Sequence, residues 1–398
     1  MTDPAPSEGP AVVLGAGYAG VSVAHHLARK GRHKIPVVVV DRHPSHVLRT
    51  GLYAIDRLAS SPDPRREWAI PIERVLDGKG IEYRPGEVAS IDLDQRTVTM
   101  DTGVLSYRSL AICLGSVVAY YGVSGADQYT YSPYRLGGAL DLAIAVRELE
   151  SRSKDLPAGL RPRIAVIGGG ATGTEIAAEI ASARWDKIVG HEVRPPQVQL
   201  IAGANPFLEG LHPALARHAR KELARAGVAL DEGRNVTKVE RDRLTLADGT
   251  VVPFEIAVWC AGVQVPPLVR NLPVPHGRAG RIKVAPTLEV PDRPGVFGVG
   301  DVVDFEDPRT KAPVPATAQA AMAEAPVAAA NMAARWNGTT MRSFRYHEKA
   351  MIVSLGVGRA AARFRHVSIW GRPAALLKAL VDKEYETARR HGQEPPAL

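Results

Sequence analysis

Short apolar runs recur along the chain, and two of them lead through a glycine-rich turn into a segment of helical period. Ala11–Leu14 runs into Gly15-Ala16-Gly17-Tyr18-Ala19-Gly20 and a predicted helix from Val21 to about Lys30. A second strand, Ile35–Val40, follows and is closed by Asp41. Further on, Ile164–Ile167 runs into Gly168-Gly169-Gly170-Ala171-Thr172-Gly173, a helix from Thr174 to about Ala183, and, after the insertion Trp185–Pro196, a strand Val198–Ile201. Each unit then alternates apolar and polar residues as short antiparallel strands do, over Gly86–Leu114 and Val228–Gly249. Each closes on a buried run followed by glycine: Leu110–Leu114 with Gly115, and Ile256–Cys260 with Ala261-Gly262.

Helical periodicity covers Leu140–Ser153, Leu211–Ala226, Ala316–Ala334 with an interruption expected near Pro326, and Ala374–Arg390. Lys154–Arg163, with Pro157 and Pro162, reads as a linker, and from Val284 the chain returns to the first unit through the strand and turn Gly295–Asp301. The pattern predicts an α/β protein with two Rossmann-type dinucleotide-binding domains, the second inserted in the first, plus a small C-terminal region. The expected division is a disordered leader 1–10, a first domain over 11–153 and 284–340, a second over 160–283, and a C-terminal region 341–398.

The three glycines of a G-x-G-x-x-G turn serve distinct physical ends: a tight turn, close approach to pyrophosphate, and close packing of helix on strand. The amides at the helix start then face the phosphates. An acid at the end of the next strand, about 20 residues on, suits a ribose hydroxyl, and Asp41 stands there. The second unit ends its corresponding strand in Ala202-Gly203-Ala204, without an acid and without a following Arg, so weak discrimination between NADH and NADPH is expected. Two such turns in one chain imply two dinucleotides, with a hydride passing from one to the other.

Composition narrows this reading. A chain of 398 residues exceeds one ordinary core. Met1–Pro10 lacks the apolar stretch of a signal peptide, no apolar run is long enough to span a bilayer, and a cytoplasmic protein is expected. The only cysteines, Cys113 and Cys260, end apolar runs and are expected to be packing thiols; they form no C-x-x-C pair, which excludes flavin-disulfide chemistry. The 12 histidines show no zinc-type spacing, and no metal is expected. Most of the net charge of +8 lies beyond Met341, with no nucleic-acid motif beside it.

Several segments together resemble the type II NADH dehydrogenase family: the first glycine turn, Gly51-Leu52-Tyr53-Ala54, Ala69-Ile70-Pro71-Ile72, Gly168 to Glu175, Trp259-Cys260-Ala261-Gly262, Val296 to Asp301, Pro315-Ala316-Thr317-Ala318-Gln319, and Phe344 to Lys349. The resemblance covers about residues 10 to 390 in order. It implies FAD in the first domain, held by Gly15, Gly17, Tyr18, Ala19, Gly20, Asp41, Val88, Gly115, Gly300, Asp301 and Ala318. It implies NADH or NADPH on Gly168, Gly170, Ala171, Thr172, Gly173 and Gly262, with NADH slightly preferred. The reaction implied is hydride transfer from NAD(P)H to FAD, then two-electron reduction of a quinone. Glu175 would tune hydride transfer or proton supply, Gln319 would orient a quinone carbonyl, and Lys349 would neutralise a developing quinol anion. The helix starting near Ala316 would aim its N-terminus at the flavin ring.

One departure stands out: Ala323-Glu324 occupies the place where the family usually has a second Gln. That keeps open an alternative acceptor, an iron–sulfur protein or small biosynthetic substrate served by a soluble reductase. Sulfide:quinone chemistry is disfavoured for want of placed cysteines, and a flavin-fold redox sensor is a non-enzymatic alternative. Leu376, Leu377, Leu380, Val381 and Tyr385 form one apolar stripe on the last helix, flanked by Lys378, Lys383, Arg389 and Arg390. The stripe packs on its own domain or rests on an anionic membrane at the inner face of the cell membrane. A homodimer is a further expectation.

Overall fold

The strands that lead into the two glycine turns are buried along all or nearly all of their length at the centres of two parallel sheets, which is what unbroken apolar runs dictate when helices cover both faces. The computed structural model describes residues 9–31, 34–157, 159–364 and 367–395; the expected leader 1–10 lies outside them except for Gly9 and Pro10. In the first unit, β1 (Ala11–Leu14) leads to α1 (Tyr18–Lys30), then β2 (Val37–Asp41), β3 (Ile81–Pro85) and β4 (Ser109–Ile112). A long helix, α2 (Leu136–Arg152), precedes the second unit. That unit contains β5 (Arg163–Ile167), α3 (Ala171–Ser182), β6 (Gln197–Ile201), α4 (Pro213–Arg225), β7 (Ala229–Asp231) and β8 (Ile256–Trp259). The chain then contributes β9 (Val296–Gly298) to the first sheet, followed by α5 (Ala318–Asn337) and, after a three-stranded antiparallel sheet, α6 (Arg372–Arg390).

The first sheet has the order β9-β4-β1-β2-β3 and the second β7-β6-β5-β8, all neighbours parallel. In each, the fingerprint strand lies between the strand that follows its helix and the return strand, so each glycine turn sits where the chain order reverses, the place such sheets bind ligands. An antiparallel three-stranded sheet precedes each return strand, over residues 88–106 and 236–253. Val117–Val118 pairs with Val263–Gln264, tying together the loops that leave the two return strands.

Both fingerprint helices begin earlier than their apolar period suggests, at Tyr18 and Ala171, because the residues before the last glycine of each turn already take helical geometry. The interruption expected at Pro326 is absent: α5 is one helix of 20 residues through it. Pro326 removes one backbone bond, but Ala320, Ala321, Ala325, Ala328 and Ala329 bury the same helix face, and that packing holds the helix together. The single stripe expected on α6 splits. Leu376 and Leu380 are 67% and 65% exposed, whereas Tyr385 is buried and Arg389, expected at the flank, is fully buried.

Candidate dinucleotide and electron-transfer site

The two glycine turns are built on the same steric plan. Gly15 and Gly168 have positive φ, +97° and +120°, and a side chain on either would strike the backbone of Cys113 or Cys260 at the end of its return strand. Gly20 and Gly173 each bring the helix so close that a Cβ would overlap the carbonyl of Gly15 or Gly168. Gly17 and Gly170 face open space. These last two are helix N-caps with no side-chain cap, so the first helical amides are left for a ligand's anionic oxygens.

A cavity of about 590 Å³ opens on the first turn, within the range of cofactor sites. Of the residues expected there, Gly15, Gly17, Tyr18, Ala19, Asp41, Val88, Gly115, Gly300, Asp301 and Ala318 line it, while Gly20 lies beneath as a packing glycine. Asp41 braces the turn: Ala16 N donates to Oδ2 at 2.7 Å and His43 N to Oδ1 at 2.8 Å. At the rim Arg42, Arg49 and Arg135 converge; burial, then the neighbouring Arg42 and Arg49 guanidiniums, push Arg135 below its ordinary value. Like charges gathered beside uncapped amides fit a diphosphate. At the opposite wall Ser116 Oγ donates to Asp301 Oδ2 at 2.7 Å, and Ala316, Thr317 and Ala318 bring the start of α5 to the cavity. These features fit an FAD-type dinucleotide: phosphate donors, a ribose acceptor and a helix start at the far end.

The second cavity, about 700 Å³, is lined by Gly168, Gly170, Ala171, Thr172, Ala202, Gly203, Asn235 and Gly262. Gly173 again lies beneath it. Among the described residues, Glu209 is its one charged lining group. Thr172 lines both cavities, so the two share a wall at the first turn of α3. Cys113 and Cys260 are free and buried, and burial pushes both thiols up, which makes them inert packing groups.

The three residues expected to act chemically are not gathered at one point. Gln319 does not line the first cavity. Its Oε1 accepts from Tyr346 Oη at 3.0 Å and Lys349 N at 3.4 Å, and its Nε2 donates to Ala350 O at 3.2 Å. A quinone carbonyl would compete with these bonds, which fasten the C-terminal segment to α5. Lys349 lines a separate cavity of about 360 Å³ with His212, Glu348 and Arg363. Glu175 faces the C-terminal region, where Ser354 N donates to Oε1 at 3.0 Å. Burial raises its carboxyl to about 7, against the opposing pull of Lys378.

Around Glu175 stands a cluster that the sequence alone did not single out. Lys378 lies 3.4 Å from Asp382 and 4.7 Å from the centre of the Tyr53 ring. Burial opposes its charge, but Glu175, Tyr53 and Asp382 hold it protonated. One turn further along α3, burial and a hydrogen bond shared with Asp56 push the Glu179 carboxyl up. The available signal was the i, i+4 pair Lys378–Asp382, which reads equally well as an exposed helix pair. Glu324 is a second such group: buried, it accepts Gly300 N at 2.6 Å, and burial raises it to about 8.

Comparison with known proteins agrees with this architecture. Residues 10–325 match the pyridine nucleotide-disulphide oxidoreductase family, and the chain belongs to it. The chain is 28% identical to the type II NADH:quinone oxidoreductase Ndh of Mycobacterium tuberculosis, over 94% of this chain and 83% of that protein. It is 26% identical to demethylphylloquinone reductase NdbB of Synechocystis, over 96% and 92%. Within the broader family, it is a member of the type II NADH dehydrogenases. In fold it is similar to NDH2 of Plasmodium falciparum in complex with NADH, with a TM-score of 0.80, 15% identity, and 97% and 96% of the two chains covered.

Proposed function

We propose that the chain is an FAD-dependent NADH:quinone oxidoreductase, with the division of labour expected from its sequence. The observation that carries this reading is the wall shared at Thr172, which makes the two dinucleotide cavities neighbours. FAD, when bound, supplies the two-electron relay between nicotinamide and quinone. The protein's part is orientation and charge. The amides after Gly17 and the Arg49 and Arg135 guanidiniums would hold the diphosphate, and Asp41 would hold a ribose. Asp301, oriented by Ser116, accepts from hydroxyls, and the Thr317-capped start of α5 favours negative charge at the ring.

Glu175 is a proton-holding group on α3, the helix whose first turn lines both cavities. Its Oε1 accepts from Ser354 N, and a carboxyl raised by burial to about 7 gives and regains a proton readily near neutral pH. Glu209 disfavours a 2′-phosphate in the second cavity, which favours NADH over NADPH. The names of the relatives support a quinone as acceptor.

Peripheral attachment to an anionic membrane is part of the same reading. Leu376 and Leu380 lie one turn apart on α6, both exposed, with Arg372 and Lys383 exposed nearby in sequence. Among the described residues no helix is long and apolar enough to cross a membrane.

The deciding experiment is anaerobic. NADH should bleach the flavin's visible absorbance within the mixing time, NADPH more slowly, and a menaquinone or ubiquinone analogue should restore it. Flavin that stays oxidised with both coenzymes overturns the enzyme reading. Reoxidation by a ferredoxin but not by any quinone replaces the acceptor.

A further inference from the structure

The far end of α6 is built into the first glycine turn. His46, fully buried, lies 2.8 Å through Nδ1 from Ala16 O and 3.0 Å through Nε2 from Tyr385 Oη. Burial, helped by the Arg389 guanidinium, holds His46 down at about 4, so the ring is neutral and carries one proton. A carbonyl only accepts, which fixes that proton on Nδ1; Tyr385 must then donate its hydroxyl proton to Nε2. Arg389 Nε donates in turn to Tyr385 Oη at 3.2 Å, and Nη1 of the same guanidinium meets Glu394 Oε1 at 2.7 Å. The proton order is therefore single-valued from Arg389 through Tyr385 and His46 to Ala16, the residue between the first two glycines.

Two further contacts bind the same segment to the same unit. The Tyr385 ring stacks on Tyr18 at 4.7 Å and 24°, and Tyr18 lines the first cavity and shares a 3.0 Å hydrogen bond with Thr50, which lines it too. Glu394 accepts from Ser22 Oγ at 2.9 Å on α1 and lies 3.0 Å from His25 Nδ1. Burial works against its charge, but His25 and Arg389 outweigh it and hold the carboxyl down at about 2. Arg389, with no exposed surface, thus has its charge answered within this segment. The packing needs of α6 alone do not call for a buried guanidinium, a neutral imidazole and a carboxylate aligned on one backbone carbonyl.

We propose that residues 385–394 are a clasp that positions the first glycine turn, with Tyr385 and His46 as positioning residues that set how slowly FAD leaves. The proposal rests on the FAD reading given above. By fixing the Ala16 carbonyl and the Tyr18 ring, the clasp keeps the amides that follow Gly17 aimed at the diphosphate.

The test uses the purified flavin-loaded protein and measures free FAD by its fluorescence after dilution. Tyr385→Phe keeps the ring on Tyr18 and removes both hydrogen bonds of its hydroxyl, to His46 and from Arg389; FAD release should quicken about tenfold. Tyr385→Ala, which also removes the stack, should quicken it further. Glu394→Gln, at the outer end, should act in the same direction and less, and it decides the matter if the Tyr385 variants do not fold. Trp185→Phe is the control: it removes a buried 2.9 Å bond to Ile180 O in the other unit and should leave FAD release unchanged. Release at the original rate from Tyr385→Phe and Glu394→Gln, or equally fast release from Trp185→Phe, overturns the clasp. A wild-type protein that never holds FAD overturns instead the reading on which the clasp rests.

Discussion

Glu324 shows how one side chain can couple a cofactor turn to pH. Its carboxyl is raised to about 8 by burial, although Gly300 N–H favours the ionised form and Asp301 nearby opposes it. Between the ordinary carboxylate range and that value the folded protein keeps a proton the unfolded chain releases. Stability must therefore fall as pH rises through that window, by up to about 1.4 kcal/mol per unit. Glu324→Gln keeps an acceptor for Gly300 and removes the titration. In thermal melts it should match the wild type near pH 5 and exceed it by several degrees near pH 8.5; parallel profiles would refute the assignment. In the sequence Glu324 is visible only as a departure from the Gln that the family resemblance leads one to expect there. Its burial depends on which face of α5 meets α1, and no local pattern contains that. The same holds for Arg389 and Lys378, which a helical wheel places at a solvated flank: the partners that bury them, His25, His46, Tyr53 and Glu175, lie hundreds of positions away.

At the scale of elements, the glycine turns are the most legible part of the chain, because each glycine answers a local steric demand. Gly15, Gly17, Gly20 and their counterparts Gly168, Gly170 and Gly173 meet those demands in the same way. The consequence is separable loss. Gly20→Ala forces α1 away from β1 and should yield protein purified without FAD. Gly173→Ala does the same to α3 and should yield yellow protein that dithionite reduces but NADH does not. Flavin content and anaerobic titration distinguish the two; a Gly173→Ala protein reduced by NADH at the original rate would show that the second turn does not hold the coenzyme. Pro326 departs from expectation for a complementary reason. A proline breaks an isolated helix, but α5 is held along its length by alanines packed on its neighbours, a tertiary term outweighing a local one.

For the whole molecule, α6 divides into an inner half committed to the first unit and an outer face that ends in Leu376 and Leu380. The stripe read from periodicity merges these two, since 3.6-residue spacing reports a common face and not what covers it. Membrane attachment therefore rests on a small apolar patch plus charge. Vesicles containing anionic lipid should carry the protein upward in flotation at low salt and lose it as salt rises, and Leu376→Ser with Leu380→Ser should abolish the binding without loss of FAD. Flotation unaffected by both changes would place the contact elsewhere.

The ion pairs and hydrogen bonds around Glu394 reach back 372 positions to Ser22. During synthesis, then, the N-terminal lobe is displayed outside the ribosome while the strap that finishes it is still being translated. Maturation of the first pocket has to wait until translation has passed Glu394.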